Sequence, residues 1–221
     1  MFTTKSIDTF IFDFDGTIAD SFLTIVTICN KLAQEFGYPV ASEAEIDQLR
    51  NLNSRQIIRQ SGVSIFHLPL LIRRLKAEVN QVVHHLKPIV GIPETLATLK
   101  QQGYRLGILT SNGRDNVETF LASNKMDTLF DFIYSGATLF GKNRLIRRCL
   151  YQQHLKPTQV AYVGDETRDL EAARKIRVCA IAVTWGFNTA AVLADYQPDF
   201  LLSCPRELIT VANILATTAH K

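Results

Sequence analysis

The chain has 221 residues, a length that fits one large α/β domain or a core domain with a small second domain. Hydrophobic residues make up 47% of it and charged residues 20%, as in an ordinary globular protein, and no stretch approaches the roughly 18 apolar residues of a membrane span. This composition excludes a membrane-spanning protein. The first residues lack the pattern of a secretory signal, so we expect a cytoplasmic location and no membrane partner.

The charge distribution and the cysteine spacing argue against several further classes of function. The net charge is +3, and Lys and Arg are spread along the chain apart from a local cluster of Arg144, Arg147 and Arg148. A solvated helix face explains this cluster better than a nucleic-acid site does, so we expect no nucleic-acid partner. The four cysteines form no Cys-x-x-Cys pair, which argues against a disulfide framework and against a zinc site.

The first predicted element is a buried β-strand over residues 7–12, and it is followed at once by the motif Asp13-Phe14-Asp15-Gly16-Thr17. Side chains alternate along extended backbone, so Asp13 and Asp15 project the same way while Phe14 turns toward the core. Ligands bind beyond the carboxyl ends of strands in open α/β sheets, so this pair is placed to supply a nucleophile and a nearby acid or base. Taken alone, an ordinary Asp-Gly turn after a strand explains the same five residues.

The next segment has only helical patterns, from about residue 21 to residue 85. In its first helix, Ile25, Ile28, Leu32 and Phe36 are spaced for one apolar face. Further helices are predicted over residues 42–49, 54–60 and 66–85, before a linker over residues 87–93.

After this insertion, strands and helices alternate, which is the pattern of a parallel sheet with crossover helices. The expected fold is α/β, with a doubly wound, Rossmann-like parallel-sheet core and a small α-helical cap domain inserted after the first strand. We place the core domain at residues 1–19 and 88–221 and the cap domain at residues 20–87. The remaining strands are predicted at 105–109, 132–134, 160–163, 178–183 and near 200, and the remaining helices at 94–102, 115–123, 143–154, 168–176 and from 205 onward.

Polar residues follow two of these strands at positions suited to phosphate binding. Thr110, Ser111 and Asn112 supply a hydroxyl and a turn whose backbone amides could hold phosphate oxygens, although a helix cap has the same appearance. Lys142 could neutralise both a phosphate and the Asp13 carboxylate, although a lone lysine is ordinarily a surface residue.

A further strand is followed by two acids, Asp165 and Asp169, about one helical turn apart at the start of a helix. If these acids converge with Asp13 and Asp15, like charges 4 Å apart repel by about 4 kcal/mol at an effective dielectric constant near 20. Such a cluster needs a cation. Carboxylate oxygens with open water positions suit Mg²⁺, which is normally held by one or two carboxylates together with substrate phosphate.

Four motifs in this order resemble those of the haloacid dehalogenase-like hydrolases. They are Asp-x-Asp-Gly-Thr at residues 13–17, Thr110 after a strand, Lys142, and Gly-Asp-x-x-x-Asp at residues 164–169. The resemblance covers nearly the whole chain, because the helical insertion looks like the cap of the phosphoglycolate phosphatase and phosphoglucomutase-like branch. It implies a two-step phosphoryl transfer.

The resemblance also implies a role for each site residue. Asp13 would attack phosphorus to form an aspartyl-phosphate, and Asp15 would first protonate the departing alcohol and then act as a base toward water. Lys142 would steady Asp13 and the developing charge. Thr110, the Ser111 amide and Asn112 would hold the phosphate.

The same resemblance implies a magnesium site. Asp13, Asp165 and the backbone carbonyl of Asp15 would bind the ion, and Asp169 would support it through water or a neighbouring ligand. The role of Glu166 stays open.

The cap loop over residues 49–55 differs from its relatives because it lacks their glycine, and Asn143 replaces the proline that often follows the lysine. Arg50, Arg55 and Arg59 could reach an anionic substrate, although solvent-facing charge explains at least two of them better. Among these three we select Arg55 as the candidate substrate-binding residue.

Three functions remain open at this point. The first is a Mg²⁺-dependent phosphatase of a small phosphorylated metabolite, such as phosphoglycolate or a sugar phosphate, acting as a monomer or homodimer. The second is a phosphomutase, which product analysis with glucose 1-phosphate would distinguish. The third is a phosphate-binding regulatory protein with little turnover. The presence of Asp15 argues against a dehalogenase, which needs no acid for its leaving group.

Overall fold

The computed structural model describes residues 7–136 and 141–218. Six strands form one parallel sheet: β1 (Thr9–Phe12), β2 (Arg105–Thr110), β3 (Phe132–Ser135), β4 (Val160–Gly164), β5 (Cys179–Val183) and β6 (Phe200–Leu202). The helices are α1 (Phe22–Phe36), α2 (Glu43–Leu49), α3 (Ser54–Ser61), α4 (Leu68–Val82), α5 (Ile92–Gln101), α6 (Arg114–Ser123), α7 (Lys142–Gln152), α8 (Thr167–Ile176), α9 (Ala190–Asp195) and α10 (Glu207–Thr218).

The strands lie in the order β3-β2-β1-β4-β5-β6. The chain therefore builds the sheet outward in one direction from β1 to β3, then returns to place β4 against the other side of β1. This is the doubly wound, Rossmann-like order, and it confirms the fold predicted from the sequence. The order reverses between β1 and β4, and a crevice opens there at the carboxyl ends of the strands.

The sheet is buried on both faces because its central strands are mostly apolar. All four residues of β1 and all five of β4 are buried. One apolar cluster fills one side of the sheet around Phe10, Phe12 and Phe14, and a second fills the other side around Ile11 and Tyr162. This packing fixes the level at which β1 ends, and so the level of the two acids that follow it.

The segment between β1 and α5 is helical, as the apolar spacing predicts. We call residues 22–85 the helical insertion. Ile28 and Leu32 of α1 pack against Val79 of α4 in a small apolar cluster of its own. Capping boxes at Ser42 and Asn53 start α2 and α3.

Two features differ from the sequence-based expectation. The six-residue helix α9 was not predicted, because its single buried residue, Leu193, provides no helical periodicity to detect. The last predicted helix begins at Glu207, two residues after Pro205.

Of the described residues, none belongs to a helix long and apolar enough to cross a membrane. The four cysteines are free thiols.

Candidate active site

Three carboxylates meet in the crevice at the carboxyl edge of the sheet. Asp13 follows β1, Asp165 follows β4, and Asp169 lies in the first turn of α8. All three are buried, and their oxygens lie within 4.8 Å of one another. The cluster arises because β1 and β4 are neighbours in the sheet, a pairing that the Asp13 N–H extends by donating to the Val163 carbonyl at 2.8 Å.

Lys142 is the cation of this cluster. Its ammonium group donates to Asp13 Oδ2 at 2.6 Å and to Asp169 Oδ1, and its side chain is only 4% exposed. Burial alone opposes its charge, but Asp13 and Asp169 outweigh that effect and hold the pKa of Lys142 well above its ordinary value. A buried lysine held between two carboxylates is a specific arrangement, unlike the surface lysine that sequence alone also allowed.

The orientation of Asp165 is set by two donors. The Thr17 hydroxyl donates to its Oδ1 at 2.6 Å, and the Phe187 N–H donates to its Oδ2 at 2.7 Å. The backbone approaches closely on two sides, because a Cβ atom on Gly16 or Gly186 would lie 2.3 Å or 2.2 Å from Asp165 Oδ2. Both glycines are therefore needed for the space around this carboxylate.

The acidic cluster carries more negative charge than its surroundings stabilise. Burial, followed by the charges of Glu166 and Asp13, raises the pKa of Asp165 well above its ordinary value. Burial also raises the pKa of Asp169 to about 7, although Lys142 opposes the shift. A divalent cation would remove this penalty, and the donors are hard carboxylate oxygens. The residues present therefore fit a divalent metal ion.

Asp15 has a separate environment. Among the described residues, its carboxylate does not belong to the cluster formed by Asp13, Asp165 and Asp169. Its Oδ2 accepts a hydrogen bond of 3.1 Å from Asn112 Nδ2. Burial, and then the nearby charge of Asp13, raises the pKa of Asp15 to about 6, while Asn112 and Ser21 oppose the shift. An acid with this pKa can both give and take a proton near neutral pH.

The turn after β2 lies beside Asp15, as the strand order requires. Thr110 is fully buried, and its hydroxyl oxygen accepts the Asn112 N–H at 2.9 Å. Ser111 is half-buried between them. Asn112, which the sequence suggested as a phosphate-binding residue, therefore also contacts the candidate acid Asp15.

Arg50 has a different role from the one considered from its sequence position. Its guanidinium group donates to the carbonyls of Gly186 at 2.9 Å and Phe187 at 3.3 Å, and it stacks over the Phe22 ring. In return, Asn188 Nδ2 donates to the Arg50 carbonyl at 3.0 Å. Arg50 thus joins the helical insertion to the loop after β5, so its charge is not directed at a substrate.

Arg59 is exposed at the end of α3. Of Arg50, Arg55 and Arg59, Arg55 lines a cavity shared with Lys142, Arg168 and Ser54. This cavity lies between the helical insertion and the core.

Glu166 links the helical insertion to the core. Its Oε2 accepts from Ser54 Oγ of α3 at 3.0 Å, and its Oε1 accepts from Arg168. The Arg168 side chain is 19% exposed, and its Nε is buried without a hydrogen-bond partner. Glu166 therefore connects α3 to α8, a role that its sequence position did not reveal.

Sequence reasoning missed several residues that hold the site in place. In the loop after β5, the Phe187 amide holds Asp165, and Trp185 packs against the core while its Nε1 donates to the Thr17 carbonyl at 3.1 Å. Thr17 lies inside the first motif, so its hydroxyl was the one signal available. A backbone amide donor such as that of Phe187 cannot be recognised from the sequence, because nearly every residue type has one.

Comparisons with known proteins agree with this geometry. The family model for haloacid dehalogenase-like hydrolases matches residues 10–183. A phosphoglycolate phosphatase from Synechococcus elongatus is 39% identical over 93% of this chain and 97% of that protein. Another from Aliivibrio fischeri is 27% identical over 92% of this chain and 95% of that protein.

Solved structures show the same fold. A haloacid dehalogenase-like family protein from Streptococcus pneumoniae superposes with a TM-score of 0.79 at 24% identity, covering 93% of this chain and 98% of that one. A predicted phosphatase from Clostridium acetobutylicum superposes with a TM-score of 0.81 at 22% identity, covering 96% of this chain and all of that one.

These findings confirm the enzyme class expected from the sequence, because the chain combines the family match with a buried acidic cluster that fits a metal site. It is a phosphatase. By its family match over residues 10–183 and by its 39% identical relative, the chain belongs to the haloacid dehalogenase-like hydrolases.

Proposed function

We propose that this enzyme hydrolyses a small phosphorylated metabolite with the help of Mg²⁺, and that phosphoglycolate is the first substrate to test. The observation that carries the proposal is the buried contact of Lys142 with both Asp13 and Asp169, beside Asp165. The choice of substrate rests on the 39% identical relative named for that activity.

Asp13 is the proposed nucleophile. Its Oδ1 accepts the Phe14 N–H at 2.8 Å and its Oδ2 accepts from Lys142 at 2.6 Å, so the carboxylate is fixed in direction. Its oxygen attacks phosphorus, and the bond from phosphorus to the alcohol oxygen breaks. The product of this step is an aspartyl-phosphate on Asp13.

Asp15 moves the protons of both steps. In its neutral form it protonates the departing alcohol oxygen, and in its ionised form it then takes a proton from the water that attacks the aspartyl-phosphate. Its pKa, raised to about 6 mainly by burial, makes both forms accessible near neutral pH.

Lys142, Thr110 and Ser111 complete the phosphate site. Lys142 steadies Asp13 and adds positive charge near the transferring group. The Thr110 hydroxyl accepts from the backbone and keeps its own hydrogen for a phosphate oxygen, and the Ser111 amide is proposed as a second donor.

Mg²⁺ would be held by Asp13, Asp165 and the backbone carbonyl of Asp15, with Asp169 in support. When bound, the ion supplies positive charge that neutralises phosphate oxygens and the carboxylate cluster. Thr17 and the Phe187 amide keep Asp165 turned toward that position.

Several further assignments stay proposals. We propose that residues 20–87 act as a cap domain over a core of residues 1–19 and 88–221, and that Arg55 contacts the substrate from the cavity it lines. A cytoplasmic location, a monomeric or homodimeric state and the lack of a nucleic-acid partner remain predictions from the sequence.

The test is phosphate release from phosphoglycolate and a panel of sugar phosphates, with and without Mg²⁺. We expect Mg²⁺-dependent release by the wild type, and a loss on the order of 10⁶ in Asp13→Asn, as for removal of other catalytic nucleophiles. Turnover that survives Asp13→Asn would reject the mechanism. Conversion of glucose 1-phosphate to an isomer without phosphate release would instead indicate a mutase.

A further inference from the structure

Three asparagine side chains form a continuous hydrogen-bonded chain that ends on Asp15. Asn80 Nδ2 donates to Asn116 Oδ1 at 2.6 Å, and Asn116 Nδ2 donates to Asn112 Oδ1 at 2.9 Å. Asn112 Nδ2 then donates to Asp15 Oδ2 at 3.1 Å. The chain begins in the helical insertion, because Asn80 belongs to α4, and it crosses α6 before reaching the site.

The direction of this chain is determined by one backbone group. The Gly113 N–H donates to Asn112 Oδ1 at 2.8 Å, and a backbone N–H can only donate. That end of the Asn112 amide must therefore be oxygen, so its NH₂ group faces Asp15. The Asn116 atom that reaches the same oxygen must be NH₂ as well, which leaves the Asn116 oxygen to accept from Asn80.

Burial restricts two of the three asparagines to the partners within this hydrogen-bonded chain. Asn112 is 6% exposed and Asn116 is 4% exposed, so neither amide has bulk water as an alternative partner. Asn80 is exposed, and it is the member that a change in the position of α4 would reach first. These hydrogen bonds therefore connect α4 to the carboxylate of Asp15.

We propose that Asn112, Asn116 and Asn80 are positioning residues that hold the Asp15 carboxyl in its productive orientation and couple that orientation to the docking of α4. The proposal rests on the proposed function, since Asp15 needs this orientation only if it exchanges protons with the leaving group. Hydrogen bonds in a chain strengthen one another, so loss of the outermost donor weakens the innermost one.

The leaving group distinguishes positioning of an acid from general damage. An alkyl phosphate such as phosphoglycolate needs a proton on its departing oxygen, whereas p-nitrophenolate leaves without one. We therefore compare kcat/KM for these two esters, because kcat/KM reports the steps through the first bond cleavage.

Asn80→Asp is the main variant. It places an acceptor against Asn116 Oδ1, so Asn116 must lose either that contact or the next one. We expect kcat/KM for phosphoglycolate to fall about fivefold to tenfold, within the range of coupling between sites, while kcat/KM for p-nitrophenyl phosphate changes less than about twofold. Gln81→Glu adds the same charge at the neighbouring exposed position and should change neither value.

Asn116→Leu removes the middle of the chain and should show the same selective loss. If its buried site prevents folding, Asn80→Asp still decides the question from the surface. An equal loss on both esters would mark a merely structural role and reject the proposal, and so would unchanged kinetics.

A second measurement separates this proposal from the proposed function. In ¹H–¹⁵N spectra of the wild type and variants, the side-chain amide protons of Asn112 should shift in Asn80→Asp and stay in place in Gln81→Glu. If the wild type hydrolyses neither ester, the proposed function fails, while this shift still supports the hydrogen-bonded connection from Asn80 to Asn112. If the Asn112 signals do not shift in Asn80→Asp, the proposed connection is rejected whatever the activity.

Discussion

Thr17 and Asp165 are 148 residues apart in sequence and are joined by a buried hydrogen bond of 2.6 Å. Thr17 belongs to the turn after β1, and Asp165 follows β4, so the bond joins the two loops beside the crevice where the order of the sheet reverses. It also leaves Asp165 with one well-defined orientation toward Asp13.

Thr17→Val tests whether this orientation matters for metal binding. The substitution keeps the shape of the side chain and removes its donor, so we expect Mg²⁺ to bind about 10-fold to 100-fold more weakly, as for other partners of metal ligands. Thr17→Ser keeps the hydroxyl and should bind nearly as the wild type does. Titration calorimetry with Mg²⁺ measures both, and equal affinity in the two variants would contradict the assignment.

Lys142→Met should separate metal binding from catalysis. Lys142 competes with a metal ion for Asp13 and Asp169, so its removal should strengthen Mg²⁺ binding. In the proposed mechanism its charge also acts near the transferring phosphoryl group, so kcat should fall by about 10² to 10³. Lys76→Met, which removes an exposed lysine of α4, is the control. Weaker Mg²⁺ binding in Lys142→Met would show that Lys142 supports the metal site instead.

Gly186→Ala should damage the site through packing. A Cβ atom there would lie 2.2 Å from Asp165 Oδ2, so the loop or the carboxylate must move. We expect a loss of about 1–3 kcal/mol in the free energy of unfolding, as for other overpacked positions. Gly113→Ala is the matched control, because nothing lies within 4 Å of its Cβ position and its φ of −68° suits alanine. Urea denaturation of both variants measures the difference, which should vanish if the loop adapts freely.

The stability of the metal-free protein should fall as the pH rises. The pKa values of Asp15 and Asp169 are raised to about 6 and about 7, mainly by burial. A carboxyl whose pKa is higher in the folded state stabilises that state below its unfolded pKa of 3.8, and this contribution is lost as the pH rises through about 6 to 7.

Mg²⁺ at the proposed site would bind the ionised carboxylates, so it should raise Tm more at pH 7.5 than at pH 5. Thermal melts in EDTA and in Mg²⁺ measure this. An equal rise in Tm at both pH values would contradict the idea that the cluster holds the ion.

Arg50→Ala should loosen the helical insertion without touching the acidic cluster. Arg50 donates to the carbonyls of Gly186 and Phe187, and hydrogen bonds from a charged donor contribute about 1.5–3 kcal/mol. Amide hydrogen exchange in α2 and α3 should therefore speed up by about tenfold or more. Arg59→Ala removes an exposed charge from α3 and should leave exchange as in the wild type. Unchanged exchange in Arg50→Ala would show that other contacts hold these helices.

The fold was largely predictable because its signals are local. The apolar run before Asp13, the alternation of strands and helices after residue 93 and the helical spacing before it each depend on neighbouring residues. Helix α9, which the sequence did not predict, has a single buried residue and so lacks such a signal. The substrate could not be predicted, because the four motifs indicate the phosphate chemistry and not the alcohol that is released.

The sequence by itself determined the order of the motifs, the parallel sheet that carries them to one edge, and the family that the chain resembles. Only the tertiary structure decided which side chains hold them in place. The Thr17 contact with Asp165, the turning of Arg50 toward Gly186 and the path from Asn80 to Asp15 all join residues far apart in the chain. Such contacts depend on the relative placement of whole elements and on side-chain orientation, and no local pattern records either.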